Sequence, residues 1–236
     1  MRDVVTGFYV GVLEQLISAG TISKLDSVLV ICGGSLDANV LEIVGFSNVV
    51  VTNLDETASN VRQDAENLSY DSGSFDIVVV HAGLHHCYSP HRALLEMYRV
   101  ARKCVLAFES RDSLLMRVAV RLGLTLDYEV DAVADGKGGV AETGIPNFVY
   151  RWTEREVIKT IASFDPVRLP SAQFFYDLRL PIQRFSRSGR TWLRTVAIIL
   201  DPLTRALAWI APKQCNEFAF AITRAGELHP WVKVSV

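Results

Sequence analysis

Four apolar runs, Ser27–Ile31, Asn48–Thr52, Phe75–Val80 and Cys104–Phe108, each stop abruptly at small or polar residues. The first meets Cys32-Gly33-Gly34-Ser35, the second Asn53-Leu54-Asp55, the third His81-Ala82-Gly83 and the fourth Glu109. Strands that are apolar on both faces and alternate with helical segments belong to a parallel sheet covered on both sides. The expected fold is therefore α/β, a Rossmann-like, mostly parallel sheet with helices on both faces. Ligands of such sheets bind at the carboxyl ends of the strands, so those polar stops are where function is expected.

The segments between fit that frame. A helix is expected over Val4–Ala19, ended by Gly20, another over Asp37–Val44, ended by Gly45, and a third opened by Ser89 as N-cap with Pro90 at its first position. From Asn53 to Asp64 there are eleven steps, fewer than a parallel crossover normally needs, so a short or missing strand is expected around Val61–Gln63. A helix over Ser113–Leu122 follows the fourth run, and Thr153 with Glu156 has the form of a capping box for a helix to Ser163. Residues 131–147 are glycine-rich and without period; Arg168–Tyr176 and Asn216–Thr223 read as further strands.

At 236 residues the chain reads as a single domain: a cofactor-binding core over 20–130, a helical cap or acceptor region over 131–212, and a last strand and tail over 213–236. A net charge of -2 gives no general attraction to nucleic acid, which is not expected as a partner. Cys32, Cys87, Cys104 and Cys215 form no CxxC pair and read as small buried residues in a reducing compartment. The first twenty residues read as an amphipathic helix rather than a signal peptide, and a cytoplasmic location is expected. Leu178–Pro212 places six arginines against one acid among interleaved apolar residues, far short of a membrane span. Two short helices with a break at Asp201-Pro202 are expected there. They would serve as a lid, as a peripheral membrane contact through 179–210, or as a homodimer surface.

A small-residue turn after the first strand lets backbone approach a ligand. A polar or acidic residue some twenty positions on, Asn53 or Asp55, suits a ribose diol, and the carboxylate of Asp64-Ala65-Glu66 suits an adenine amino group. These features together suggest a nucleoside-like cofactor along the sheet edge.

The segment QDAENLSYDSGSFDIVVVHAGLHHCYSPHRALLEMYRVARKCVLAFE resembles the corresponding part of class I S-adenosylmethionine-dependent methyltransferases of the small-molecule type. It carries their DAE-L run, the DSGSFD turn before the next strand and the LHH run before the next helix; the likeness spans about Val28–Ser110. It implies that S-adenosyl-L-methionine is the cofactor. Cys32, Gly33 and Gly34 would border its methionine part, Asn53 would stand at the ribose, Asp64 and Ala65 at the adenine, and His81 near the sulfonium. The first motif departs from the family pattern: Val30 replaces an acid, Cys32 the first glycine and Leu36 the last, while Asn53 replaces the ribose acid and Asp55 stands close enough to compensate.

The expected activity is methyl transfer to a small-molecule, glycan or lipid-linked acceptor. A non-catalytic protein of the same fold, acting as a partner or regulator, is the alternative; a dehydrogenase is disfavoured because no GxGxxG follows the first strand. Four of the five histidines, His81, His85, His86 and His91, fall within eleven residues. Imidazole titrates near neutrality, so His85 or His86 is the candidate base for an acceptor hydroxyl, against the plainer reading of backbone hydrogen bonds at a strand–helix junction. No carboxylate or thiolate stands at metal-ligand spacing, and no metal ligand is assigned. Glu109 reads as a solvated acid or the partner of Arg111, and His91 as a surface residue. Asn147, Tyr150, Arg151 and Trp152 either line an acceptor pocket or pack a helix start.

Overall fold

A computed structural model describes residues 4–59, 61–134, 136–166, 171–180, 208–224 and 226–227, with isolated positions 195, 199, 203 and 206. Helix α1 (Val4–Ser18) leads to β1 (Val28–Ile31), α2 (Ser35–Val44), β2 (Val49–Val51), β3 (Phe75–His81), α3 (Pro90–Val100), β4 (Ala101–Ser110) and α4 (Leu114–Arg121). A small ribbon, β5 (Val133–Ala134) with β6 (Lys137–Gly138), precedes α5 (Glu154–Phe164), β7 (Ser171–Asp177) and β8 (Glu217–Thr223). The main sheet has the order β2-β1-β3-β4-β8-β7. Pairings from β2 to β4 are parallel, while β8 runs antiparallel to both neighbours. The mostly parallel α/β sheet read from the sequence is the one observed.

Period-2 alternation distributes the strand side chains between two apolar layers. Leu29, Ile31, Val78, Val80, Val105 and Ala107 face α3 and α5. Val28, Val30, Ile77, Val79 and Leu106 face α1 and α2. Both faces are dry, which is why the strands read as continuous apolar runs. Helix α3 starts as its capping residues dictate: Ser89 Oγ accepts from Arg92 N at 3.4 Å and Pro90 follows. Thr153 caps α5 through Glu156 N at 3.2 Å. Helix α2 begins two residues before its expected start, because Asp37 Oδ2 accepts from Gly34 N at 3.0 Å and satisfies that otherwise orphaned donor.

The shortened crossover after β2 forms no full strand. Residues 61–63 make a single parallel bridge, Asn53 to Arg62, with Asn53 N donating to Val61 O and Gln63 N to Asn53 O. The glycine-rich segment 131–147, read as aperiodic, holds the β5–β6 ribbon and short 3-10 turns. The arginine-rich helix pair expected within the cap or acceptor region lies mostly outside the described residues. Helix α4 buries none of its residues and exposes Leu114, Leu115, Val118 and its C-cap Leu122. No described helix is long and apolar enough to cross a membrane.

Candidate active site at the carboxyl edge

Strands β1 and β3 end in backbone that ordinary residues avoid. Cys32 has φ 51° and Ala82 φ 50°, left-handed values that cost an L residue about 1 kcal/mol or more. Glycine is mandatory beside each. A Cβ on Gly33 would stand 2.5 Å from Val30 Cγ1, and one on Gly83 would stand 2.6 Å from Cys32 Cβ. The two strand ends are thus wedged together, and Cys32 takes the strained conformation that a glycine would adopt without cost. A Cβ on Gly34 would meet nothing within 4 Å, so this backbone is open to a ligand. All four cysteines are free thiols.

The other residues expected at the cofactor lie along the same edge, with different commitments. Asn53 Nδ2 donates to Gly33 O at 2.9 Å and its Oδ1 accepts from Asp55 N at 3.0 Å, so the side chain braces the glycine turn. Asp55 is bonded to Thr57 N and Oγ1, which hold its carboxyl below the usual range. Asp64 Oδ1 accepts from Glu66 N at 2.9 Å, and Ala65 is buried beside it. His81 stacks on Tyr9, ring centroids 5.2 Å apart and 12° from parallel, and burial lowers its pKa.

Tyr9 and Asp37 were not anticipated. The Tyr9 hydroxyl and Asp37 Oδ1 are buried near one another without a partner at hydrogen-bond geometry among the described residues, and burial raises the Asp37 carboxyl against the Gly34 amide, His81 and the Tyr9 hydroxyl. An unpartnered buried carboxylate oxygen beside open glycine backbone suits a cationic ammonium group, as carried by the methionine part of S-adenosylmethionine. The donor set at this end therefore fits the methionine part of that cofactor. The only sequence signal for Asp37 is its place three residues after Gly34.

Beyond His81 the edge opens into a cavity of about 250 Å³, lined among others by His81, His85, His86, Glu109, Glu129 and Glu217. Glu109 closes its floor and corrects the expectation of a solvated acid. It is 3% exposed, and Oε1 accepts from Gly83 N at 3.0 Å and Leu84 N at 2.8 Å. Its Oε2 accepts from His85 Nδ1 at 2.9 Å. Arg111 turns away and pairs with Glu154 at 2.7 Å. Burial works against a charge on His85, but the Glu109 and Glu129 carboxylates outweigh it and push the imidazole up to about 10. His86, half-buried, donates from Nδ1 to Gly139 O at 3.3 Å. The plainer reading, backbone bonds alone, thus describes His86 and not His85. Glu129 arrives from the cap: an antiparallel bridge of Tyr128 with Phe148 fixes its backbone, and Asn147 Nδ2 donates to its Oε2 at 3.2 Å. The His85 imidazole beside it helps hold Glu129 at about 2.

His91 is no free surface residue. It lies 3.3 Å from Glu156 and packs against Tyr150 and Trp152. Trp152 is fully buried in the core layer, and Arg151 pairs with Asp127, so neither lines the cavity. Among the expected residues the structure groups Cys32, Gly33, Gly34, Asn53, Asp55 and His81 along one edge, with His85 and His86 across the cavity beyond.

A family model described as a methyltransferase domain matches residues 30–106. No curated protein sequence matches the chain. Solved structures resemble it over nearly its whole length. Magnesium protoporphyrin IX methyltransferase from Synechocystis PCC 6803, with bound S-adenosylhomocysteine, is 11% identical with a TM-score of 0.53, covering 91% of this chain and 81% of that one. A methyltransferase from Thermotoga maritima, possibly acting on histamine, is 12% identical with a TM-score of 0.51, covering 94% and 92%. The complex of a Haloferax volcanii methyltransferase with its Trm112 activator gives 9% identity and a TM-score of 0.53, covering 94% and 96%. At these identities the likeness is one of fold. Residues 30–106 thus match a methyltransferase domain, and the fold around them is the Rossmann-like one of solved S-adenosylmethionine-dependent methyltransferases.

Proposed function

We propose that this protein transfers a methyl group from S-adenosylmethionine to a polar acceptor, a hydroxyl for preference, seated in the cavity between His81 and Glu129. The observation that carries the reading is the continuity of the strained glycine edge with a histidine–glutamate cavity, both at the carboxyl ends of β1, β3 and β4. Bound there, the cofactor supplies an electrophilic sulfonium methyl. Cys32, Gly33 and Gly34 border its methionine part with Asp37 at the ammonium; Asn53 and Asp55 stand on the ribose side, Asp64 and Ala65 at the adenine. His81 lies between cofactor and acceptor. Positioning and exclusion of water supply most of the acceleration.

An acceptor hydroxyl has to lose a proton, and His86 is the residue that receives it. Its Nδ1–H is engaged by Gly139 O, which leaves Nε2 as the basic atom. His85, clamped between two carboxylates, is charged at neutral pH and sets the field of the cavity. Small-molecule, glycan and lipid-linked acceptors all suit a cavity lined in part by Arg179, the first residue of the arginine-rich segment 179–210. A lipid-linked acceptor would bring that segment to a membrane surface, and a dimer could bury it instead.

A second reading, a partner-binding protein on the same fold, draws on one observation: Asn53 and Asp55 are both engaged by local hydrogen bonds at the ribose position. Calorimetry with S-adenosylmethionine and S-adenosylhomocysteine decides between the two. Saturable binding weakened by Asp64→Ala supports the enzyme; no binding by folded protein leaves the second reading.

A further inference from the structure

Glu129 Oε2 lies 3.7 Å from His85 Nε2 and 3.6 Å from His86 Nε2. Both spacings exceed the N···O range of hydrogen bonds, which closes at about 3.2 Å. They approach what co-ligands of one ion require, since tetrahedral bonds of about 2.0–2.1 Å set ligand atoms roughly 3.4 Å apart. One ligand atom from each of His85, His86 and Glu129 lies within 4.8 Å of the others. The two imidazoles are consecutive in sequence, yet a 3-10 turn over Leu84–His86 brings them together, centroids 4.6 Å apart and 36° from parallel. They present the same edge to Glu129.

The far side of each ring is already committed. His85 Nδ1 donates to Glu109 Oε2 and His86 Nδ1 to Gly139 O. A carbonyl oxygen only accepts, so His86 carries its proton on Nδ1 and turns the other nitrogen to the cavity. Ligating histidines are almost always held this way, by a carboxylate or carbonyl behind the ring. Glu109, buried and bonded to two backbone amides besides, is a rigid anchor for His85.

We propose that His85 Nε2, His86 Nε2 and a Glu129 carboxylate oxygen bind a divalent transition-metal ion of the zinc or iron(II) class, leaving a coordination position open to the cavity. Two imidazoles and one carboxylate with an open position form a donor set suited to such ions. The ion takes the place of the proton on His85 Nε2. With the ion bound, His86 Nε2 is a ligand rather than the base: an acceptor hydroxyl entering the open position becomes a ligand through oxygen, and its proton passes to solvent more readily than from the free hydroxyl. Glu109 and Gly139 act as positioning groups. This role in methyl transfer rests on the function proposed above; binding of the ion does not.

The test uses the full chain, stripped with a chelator and titrated with Co²⁺ by visible absorption and with Zn²⁺ by calorimetry. One equivalent is expected to bind, with d–d bands of mixed nitrogen and oxygen coordination. Glu129→Gln and His86→Gln should each weaken binding by about tenfold or more, with thermal melting unchanged. Absence of a one-to-one site in folded protein, or a site indifferent to both substitutions, overturns the proposal. S-adenosylhomocysteine binding is read on the same samples. Metal binding without it keeps the site and removes the methyl-transfer reading; the converse removes the site alone.

Discussion

The glycine edge and the histidine–glutamate cavity share one rim of the sheet but are built in opposite ways. The edge is made of backbone: two glycines wedged at strand ends, two residues in left-handed conformations and open space over Gly34. The cavity is made of side chains drawn from distant positions, with Glu109 from β4, Glu129 from the cap and Glu217 from β8 around the two histidines. The first is fixed by geometry and tolerates changes of residue so long as the chain path survives, as Cys32 in a glycine conformation shows. The second is fixed by charge and depends on each partner being present.

Substitutions should separate the two. The largest effect is expected at Glu109→Ala, which removes the acceptor of two backbone amides and the buried partner of His85. Breaking such a pair costs about 3–5 kcal/mol, so chemical denaturation should show a large loss of stability, and Glu109→Gln should recover part of it. If the cavity is the acceptor site, Glu109→Gln protein will still bind S-adenosylhomocysteine while methyl transfer fails. Next comes Gly33→Ala. A Cβ 2.5 Å from Val30 Cγ1 and 3.0 Å from Val51 Cγ1 displaces the turn from β1 and β2, at about 1–3 kcal/mol, and cofactor affinity should fall with stability. Retained affinity would mean that the edge is not the cofactor site.

Cys32→Gly works in the other direction. Relief of the positive φ should stabilise the fold by about 1 kcal/mol, less the extra chain entropy of glycine, without weakening cofactor binding. A melting temperature that falls would show that the Cys32 side chain, not its backbone, matters there. The smallest effect on the site itself is expected from the opposite rim. Burial would raise the Asp76 carboxyl, but hydrogen bonds from Ser27 and Arg102 overcome this and hold it at about 2. Its folded pKa lies below the ordinary value of about 3.9, so its stabilisation is complete above about pH 4 and is lost as pH falls toward 2. Asp76→Asn should therefore flatten the acid-unfolding curve in that window and leave both halves of the site untouched.

The contrast also explains what could be read from the chain. The strands, the capped helices α3 and α5 and the missing strand near Arg62 are local matters of periodicity, capping residues and crossover length, and sequence carries these directly. The glycine turn and the histidine cluster are contiguous motifs and were equally legible. Glu129 was not, because its role depends on a bridge between Tyr128 and Phe148 across a glycine-rich segment without period. Glu109 was visible as a residue, but its burial was not, since nothing local says that Arg111 turns away to Glu154. Asp37 and Tyr9 meet only because α1 packs against α2, with Tyr9 against His81 of β3 and Phe108 of β4.

The truncated crossover has a consequence on the outer side of the sheet. Strand β2 spans three residues, Val49–Val51, and beyond it the described chain offers one bridge at Arg62 where a further full strand would otherwise lie. A long bare edge of valines would invite strand-to-strand association between molecules. Three residues give a second chain too few ladder bonds to recruit it. The same economy of chain thus makes this edge a poor template for strand association.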